Sequence, residues 1–437
     1  MIDYNQLISG GTFDLNVNID TRIENENNET WFKDGYVYSS VDKKLNEKFN
    51  FYFTTAFQSS PTYLRRKDIT NILNQDVALK SSFGLGGANL RKEDDNLSFD
   101  ITSYQVVKKD DDNSNTPIAL PYVKYYAGSN NYKKIEYNNL FTFYNIVRDK
   151  PAGDLSKRQQ KFTHNISANL TSYKLKSEIN YKTQILTHQY HTEGKQIDGV
   201  GYTGYYNRVF PMSGIYIKTP IRNTKYNYTI SPKASIIINS LQPSSNKISN
   251  EESINTQYSL LNNSDLNRFK GSDKLDNSQR VNYGINLIKN NFTSEVSQSY
   301  EFNKHSDYNK ATGLKDALSD ILFKAQYLGI INTVNYNNRI NIDIGEIASQ
   351  NLSLNNKAKF ASFDATYSQA RKETNSILNA GTETMSLGIT TAKFKKYNQI
   401  SIGTNYDLIN DYSTQNNIKY SYIDECFAVD LNFLRNG

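Results

Sequence analysis

No stretch of this chain approaches the ~18–20 consecutive apolar residues that a membrane-spanning helix needs, yet apolar and polar residues alternate in segment after segment. A helix presents one face every 3.6 residues, whereas successive side chains of a strand point to opposite sides, so a period of two dictates sheet. Residues 265–287 set the plan: a charged, glycine-hinged turn feeds a strand in which Val281, Tyr283, Ile285 and Leu287 alternate with Asn282, Gly284 and Asn286. A sheet apolar on one side and polar on the other either buries its apolar side against a second sheet or turns it to lipid as a closed barrel.

The same plan recurs along the chain. Residues 13–23 place Phe13, Leu15, Val17, Ile19 and Ile23 on one side and Asp14, Asn16, Asn18, Asp20 and Arg22 on the other. A turn is expected at 24–29, then strands at 31–39 and 49–57, where Phe49, Phe51, Phe53 and Phe57 share a face. Residues 161–186 read as a hairpin, with apolar residues on even positions up to Leu170 and on odd positions from Tyr173, which puts its turn at Thr171-Ser172. Segments 339–347, 363–367, 400–408 and 427–433 repeat the pattern. Roughly twenty strands of ~10 residues result, as in an outer-membrane barrel. Longer polar insertions at 108–116, 240–264 and 301–311 alternate with short turns, as expected of a barrel with a periplasmic and an external rim. In 314–328, Leu314, Leu318, Ile321, Leu322, Ala325 and Leu328 also fit helical spacing, so pattern alone leaves helix and strand both open there.

Composition narrows the class. The 437 residues include 33 Tyr and 21 Phe, yet hydrophobic residues make up only 37%. The mean hydropathy of -0.67 is too polar for a bundle of membrane helices. The net charge of +6 comes from Lys and Arg spread along the chain, which gives no basic stripe for nucleic acid. Cys426 is the single cysteine and can form no disulfide within the chain; it is either a buried thiol or a partner to a cysteine elsewhere. The opening residues 1–5 contain no basic and apolar leader, so for an exported β-protein the sequence reads as a fragment.

The chemical motifs dissolve on inspection. Gly199-Val200-Gly201-Tyr202-Thr203-Gly204 has dinucleotide-binding spacing, but an aromatic run ending at Pro211 follows where a helix is required, so a flexible loop is expected. His188 and His191 are three apart, which places them on opposite sides of a strand and argues against a zinc site. In the run starting at Asp110-Asp111-Asp112, Asn115 and Pro121 stand where a calcium loop needs glycine and glutamate. No serine, histidine and acid set lies in a nucleophile context. No catalytic, cofactor or metal residue is assigned.

A set of ordered motifs resembles the C-terminal barrel of the LptD family, the lipopolysaccharide-assembly proteins of the bacterial outer membrane. These are Ser60-Pro61-Thr62-Tyr63-Leu64-Arg65-Arg66; Pro117-Ile118-Ala119-Leu120-Pro121; Arg208-Val209-Phe210-Pro211; Ser231-Pro232-Lys233-Ala234; and Ile248-Ser249-Asn250-Glu251-Glu252-Ser253. Then follow Asn267-Arg268-Phe269-Lys270-Gly271-Ser272-Asp273-Lys274, Arg280-Val281-Asn282-Tyr283-Gly284, Gly313-Leu314 with Ser319-Asp320, and Asp424-Glu425-Cys426-Phe427.

The resemblance implies an all-β fold, a large antiparallel transmembrane barrel spanning 1–437 as one domain, with roughly 20–22 strands present and the first and last missing. It resolves 313–321 as a turn and strand. It implies no enzyme but a translocon component that inserts lipopolysaccharide into the outer leaflet through a hydrated lumen and a lateral seam. The implied partners are lipopolysaccharide, an LptE-like plug lipoprotein, outer-membrane lipids, and an LptA-like periplasmic bridge reached through an absent N-terminal domain. Cys426 resembles a barrel-side cysteine whose partner lies in that domain, although the family often has two adjacent cysteines where this chain has Glu425-Cys426. Arg208, Pro211, Arg268, Gly271, Asp273, Arg280 and Asp320 are the family-motif residues, expected, with Lys274, to hold loops and strands rather than to perform chemistry. A diffusion porin or receptor-type transporter is the alternative on composition and alternation alone, and a soluble β-rich adhesin is a third, in which apolar faces would meet each other.

Overall fold

The computed structural model of the chain describes residues 2–20, 34–60, 63–66, 78–107, 112–253, 257–303, 308, 312–314, 316–374, 377–424 and 427–436. They form one antiparallel sheet of 23 strands. It begins with β1 (Ile2–Ile8), β2 (Gly11–Asp20), β3 (Asp34–Lys44), β4 (Phe49–Gln58), β5 (Ala78–Ala88), β6 (Asn96–Val106), β7 (Ile118–Tyr132) and β8 (Ile135–Val147). It continues with β9 (Arg158–Lys174), β10 (Ser177–Ile197), β11 (Val200–Lys218), β12 (Ile221–Asn223), β13 (Tyr228–Asn239), β14 (Gln279–Lys289), β15 (Phe292–Glu301) and β16 (Ile321–Leu328). It ends with β17 (Asn332–Asn341), β18 (Glu346–Lys357), β19 (Ala361–Thr374), β20 (Ile377–Thr391), β21 (Asn398–Asp407), β22 (Tyr412–Ile423) and β23 (Ala428–Asn436).

Each strand pairs with the next, except that β11 and the short β12 both lie along β13 and act as one stave. Among the described residues no pairing joins β1 to β23, so the sheet stays open along one line.

The up-and-down order sends alternate connections to opposite rims. One rim carries short turns such as 133–134, 175–176 and 290–291; the other carries the long connections 240–278 and 302–320. Several short turns use left-handed residues, as Leu175 (φ 50°) and Lys176 (φ 62°) do in joining β9 to β10. Two such residues give the turn whose twist matches that of the flanking strands. By the asymmetry of outer-membrane barrels, the short-turn rim is periplasmic and the long-loop rim external.

Register separates the two faces. Ser235, Asn282 and Ser299 are directly opposite one another on β13, β14 and β15 and are buried, facing inward. Their neighbours Ile236, Ile285 and Val296 are 49%, 52% and 44% exposed on the other face. No second sheet covers these apolar residues, so the described structure does not take the adhesin arrangement, in which apolar faces pack together. A bilayer is the medium that an exposed apolar face of a fully paired sheet suits.

The structure corrects several boundaries. The β9–β10 turn is Leu175-Lys176, not Thr171-Ser172: Thr171 and Ser172 pair with Asn180 and Ile179, and the change of parity falls four residues later. Residues 339–347 are not one strand, since β17 ends at Asn341 and a turn with Gly345 at φ 74° precedes β18. The glycine-rich 199–204 is not a flexible loop; Asp198-Gly199 is a tight turn and β11 starts at Val200, paired back to Ile197. In 314–328 the helical spacing is overridden by pairing on both sides, Val296 to Phe323 and Phe323 to Asn338, which makes 321–328 a strand. Residues 24–29, Pro61, Thr62, Asp110, Asp111 and Cys426 lie outside the described residues.

The two-faced wall predicts an asymmetric response to charge. Ile236→Arg puts a cation on the lipid side and is expected to cost about 2–4 kcal/mol of barrel stability if it lies near the bilayer midplane, read by denaturant titration in lipid vesicles. Asn335→Arg, on the inner face opposite Ser353, is expected to cost far less in the same assay.

Candidate functional site

The segment 240–278, between β13 and β14, folds back from the external rim against the inner wall. A buried loop is unstable unless its backbone donors and acceptors find partners, and here polar side chains supply them. Asn239 donates to the carbonyls of Leu266 (2.7 Å) and Asp276 (2.6 Å). Gln159 of β9 both donates to the Ser249 carbonyl (3.0 Å) and accepts from its amide (2.7 Å). Ser253 Oγ accepts from the amides of Asp273 and Lys274 at 2.8 and 2.9 Å.

Charged clusters fasten the segment to the strands. Tyr144, Lys161 and Tyr190 form one row across β8, β9 and β10. All three reach Asp273: Lys161 Nζ lies 2.7 Å from Oδ1, and the Tyr190 and Tyr144 hydroxyls donate to the same oxygen at 3.0 and 3.3 Å. Asp273 Oδ2 accepts from the backbone amides of Glu251 (2.8 Å) and Glu252 (3.1 Å). Lys161 also meets Glu252, and Arg148 grips Glu251 with both terminal nitrogens. Arg208 of β11 donates to His188 Nδ1 (3.0 Å), Tyr190 (3.1 Å) and the Asp273 carbonyl (2.8 Å), so it holds the segment through its backbone.

A second cluster is centred on Asp276, which receives Arg268 Nε at 2.7 Å and Arg280 Nη1 at 2.8 Å. Arg268 continues to Glu301 on β15 at 2.5 Å and lies over the Tyr308 ring at 5.1 Å, while Phe269 stacks on that ring at 4.8 Å. Leu275 packs beside Leu186, Phe210 and Met212. In the loop 302–320, Asp320 meets Arg339 of β17 at 2.6 Å.

These charges are tolerated inside because each has hydrogen-bonding partners, most of them of opposite charge. Burial opposes the charge on Arg268, but Asp276, Tyr308 and Glu301 outweigh it and hold the guanidinium pKa well above its ordinary value. Burial pushes the Glu251 carboxyl upward, against the pull of Arg148. Chemically the arrangement is a clamp: it has the partners to hold a chain segment in place, and among the described residues no group of three or more His, Cys, Asp and Glu could hold a metal ion.

The family-motif residues fall in several places. Arg208 and Asp273 join the first cluster, Arg268 and Arg280 the second, and Asp320 a third. Gly271 adopts φ 85°, and a Cβ there would come within 2.3 Å of the Glu252 carbonyl oxygen. Pro211 lies apart on the outer face of β11 opposite Ile185, touching the segment only where its carbonyl accepts from the Ser240 amide. Lys274 gives its amide to Ser253. Sequence reading missed Lys161, Tyr144, Tyr190, Asp276, Glu301 and Arg339. The inward parity of those on strands was available, but their partners lie on other elements, while Asp276 sits in the loop segment, where no strand parity applies. His188 and His191 do fall on opposite faces, His188 inward beside Arg208 and His191 against Tyr205.

From β17 to β22 the inner wall changes character. Asn335 faces Ser353, and Asn351 faces Ser368; Ser386 and Asn405 continue the pattern, so small neutral polar groups dominate.

A model of the LptD family, described as LPS transport system D, matches residues 33–413. No curated protein matches the chain. Among solved structures, the siderophore receptor PirA from Acinetobacter baumannii is similar with a TM-score of 0.50 and 9% identity, over 98% of this chain and 74% of that one. The copper transporter OprC is similar at a TM-score of 0.44 and 9% identity, over 99% of this chain and 76% of that one. The likeness to PirA concerns the fold alone.

Two substitutions test the clamp. Asp273→Asn leaves Lys161 buried with a weakened partner, a loss of about 3–5 kcal/mol if it behaves like other broken buried pairs. The expected outcome is faster hydrogen exchange in 248–276 with the strands still protected. Gly271→Ala, strained at positive φ and against the Glu252 carbonyl, is expected to loosen the same segment by more than about 1 kcal/mol, read as new protease cleavage within 240–278.

Proposed function

The chain belongs to the LptD family and is an outer-membrane protein of the lipopolysaccharide transport system; from that premise we propose that it is the component that inserts lipopolysaccharide into the outer leaflet. Residues 1–437 act as one barrel domain. The saccharide head crosses the hydrated lumen and leaves sideways through a lateral seam in the wall, while the acyl chains stay with lipid. The observation that carries this reading is the two-faced wall. Inward Asn, Ser and Thr side chains offer hydrogen bonds to a polyhydroxylated chain, and outward Ile, Val and Phe side chains match acyl chains. A poorly paired ladder in the complete barrel is the place where the wall opens at least cost.

In this reading the inserted segment 240–278 narrows the lumen and keeps it from acting as a free pore. The work is transport rather than covalent chemistry. An LptE-like lipoprotein occupies the remaining lumen, and an LptA-like bridge delivers substrate through a periplasmic domain. Cys426 ties the barrel to that domain by a disulfide, so it resists thiol labelling in the non-reduced full-length protein. Complete labelling of Cys426 would remove the tether.

Depletion of the full-length protein separates transport from simple diffusion. The expected result is loss of newly made lipopolysaccharide from the cell surface, measured by surface labelling, with its accumulation inside the envelope. An unchanged surface level, with slower uptake of small solutes instead, would replace the translocon by a porin or a receptor-type transporter.

A further inference from the structure

The inner wall opposite the clamp contains a notch. Register places Asp364, Gly388, Gly403 and Asn417 in one row across β19 to β22, with Thr366, Ser386, Asn405 and Gln415 in the adjacent row. A concavity of about 310 Å³ is lined by all of these residues except Gln415. Glycine inside a strand costs roughly 0.5–1 kcal/mol relative to alanine, and here two face each other on adjacent strands. Strand glycines often mark a close approach by another group. Elsewhere on the inner wall the approaching group is present: a Cβ on Gly84 would lie 2.2 Å from the ring of Tyr52, and one on Gly214 would lie 2.8 Å from the Tyr216 hydroxyl. The Gly403 position is likewise closed by the Asn417 amide, whose oxygen would be 2.4 Å from a Cβ. Gly388 is different. A Cβ there would meet only Asp364 Cβ at 3.8 Å, so no protein group fills the space its missing side chain leaves.

We propose that the notch at Gly388 is a subsite for an uncharged stretch of saccharide, a reading that rests on the lipopolysaccharide transport proposed above. Its hydroxyls and amides match sugar hydroxyls, and Asp364 is the one charged side chain in the two rows, disfavouring phosphorylated sugar. Neither row contains an aromatic ring on which a sugar could stack. Contact is therefore polar and weak, as a path requires if what enters is also to leave. The notch sits close to the short-turn rim, since β20 ends at Thr391 and β21 begins at Asn398. Sugar entering from the periplasmic side meets it early.

The test uses the full-length protein in cells, with a photoreactive side chain at Asn405 and, as comparison, at Ser98, an inward position on β6 opposite Gly86. Asn405 is expected to crosslink to lipopolysaccharide. That crosslink is lost when the cells make lipopolysaccharide truncated before its uncharged sugars, an arm that leaves the protein unaltered. Gly388→Ala retains it and Gly388→Phe abolishes it, with heat-modifiable migration reporting whether each barrel has assembled. Crosslinking at Ser98 without Asn405 overturns the subsite and leaves transport standing. So does an Asn405 crosslink indifferent to sugar truncation or, in an assembled barrel, to Gly388→Phe. Absence of any lipopolysaccharide crosslink at either position overturns the transport reading as well.

Discussion

Backbone hydrogen bonding is the constraint on which everything else here depends. In a bilayer an unpaired amide or carbonyl costs several kcal/mol, so a chain without a long apolar helix can cross only as strands that each find a neighbour on both sides. The consecutive antiparallel order meets that demand with local pairings, each strand meeting the next through a turn. It also fixes which side chains face water, because parity along each strand follows once the ladder is set. The line between β1 and β23, where the described ladder is not continued, is the exception.

A second set of interactions works against the cost of burying charge. Segment 240–278 brings acids into the barrel, and three strands meet them with a lysine and two tyrosines in a single row. Removing charges from water is expensive, so such pairs contribute little net stability but make one arrangement far better than its neighbours. Asp273 illustrates the effect: one carboxylate satisfies a lysine, two tyrosines and two consecutive backbone amides, drawn from four separate places in the chain. That concentration explains how a long, polar, glycine-containing segment holds a defined place inside the wall.

The lumen is therefore uneven around its circumference. Matched charges and the inserted segment occupy the side built from β8 to β16, while β17 to β22 present small neutral polar groups. A transported amphiphile with a bulky sugar head would meet a side occupied by the inserted segment and a side that presents hydroxyls and amides. In the proposed transport, this division would give the saccharide a preferred side without a dedicated tight site.

Alternation alone determined that the chain forms two-faced strands. Val281, Tyr283 and Ile285 against Asn282 and Gly284 specify a two-faced strand whatever surrounds it, because side-chain parity is a local property of the extended chain. The ordered motifs further marked Arg208, Arg268, Gly271, Asp273 and Arg280 as a group, without saying what they touch. Boundaries such as Leu175-Lys176, and the choice of strand over helix at 321–328, depended on register with neighbouring strands, which short-range pattern does not contain. The clamp belonged entirely to the tertiary structure. Lys161 and Asp273 are separated by over a hundred residues and meet only because β8, β9 and β10 align their row beneath the returning segment. A charge in a sequence declares its sign, but burial and distance decide its energy, and both exist only once the chain has folded.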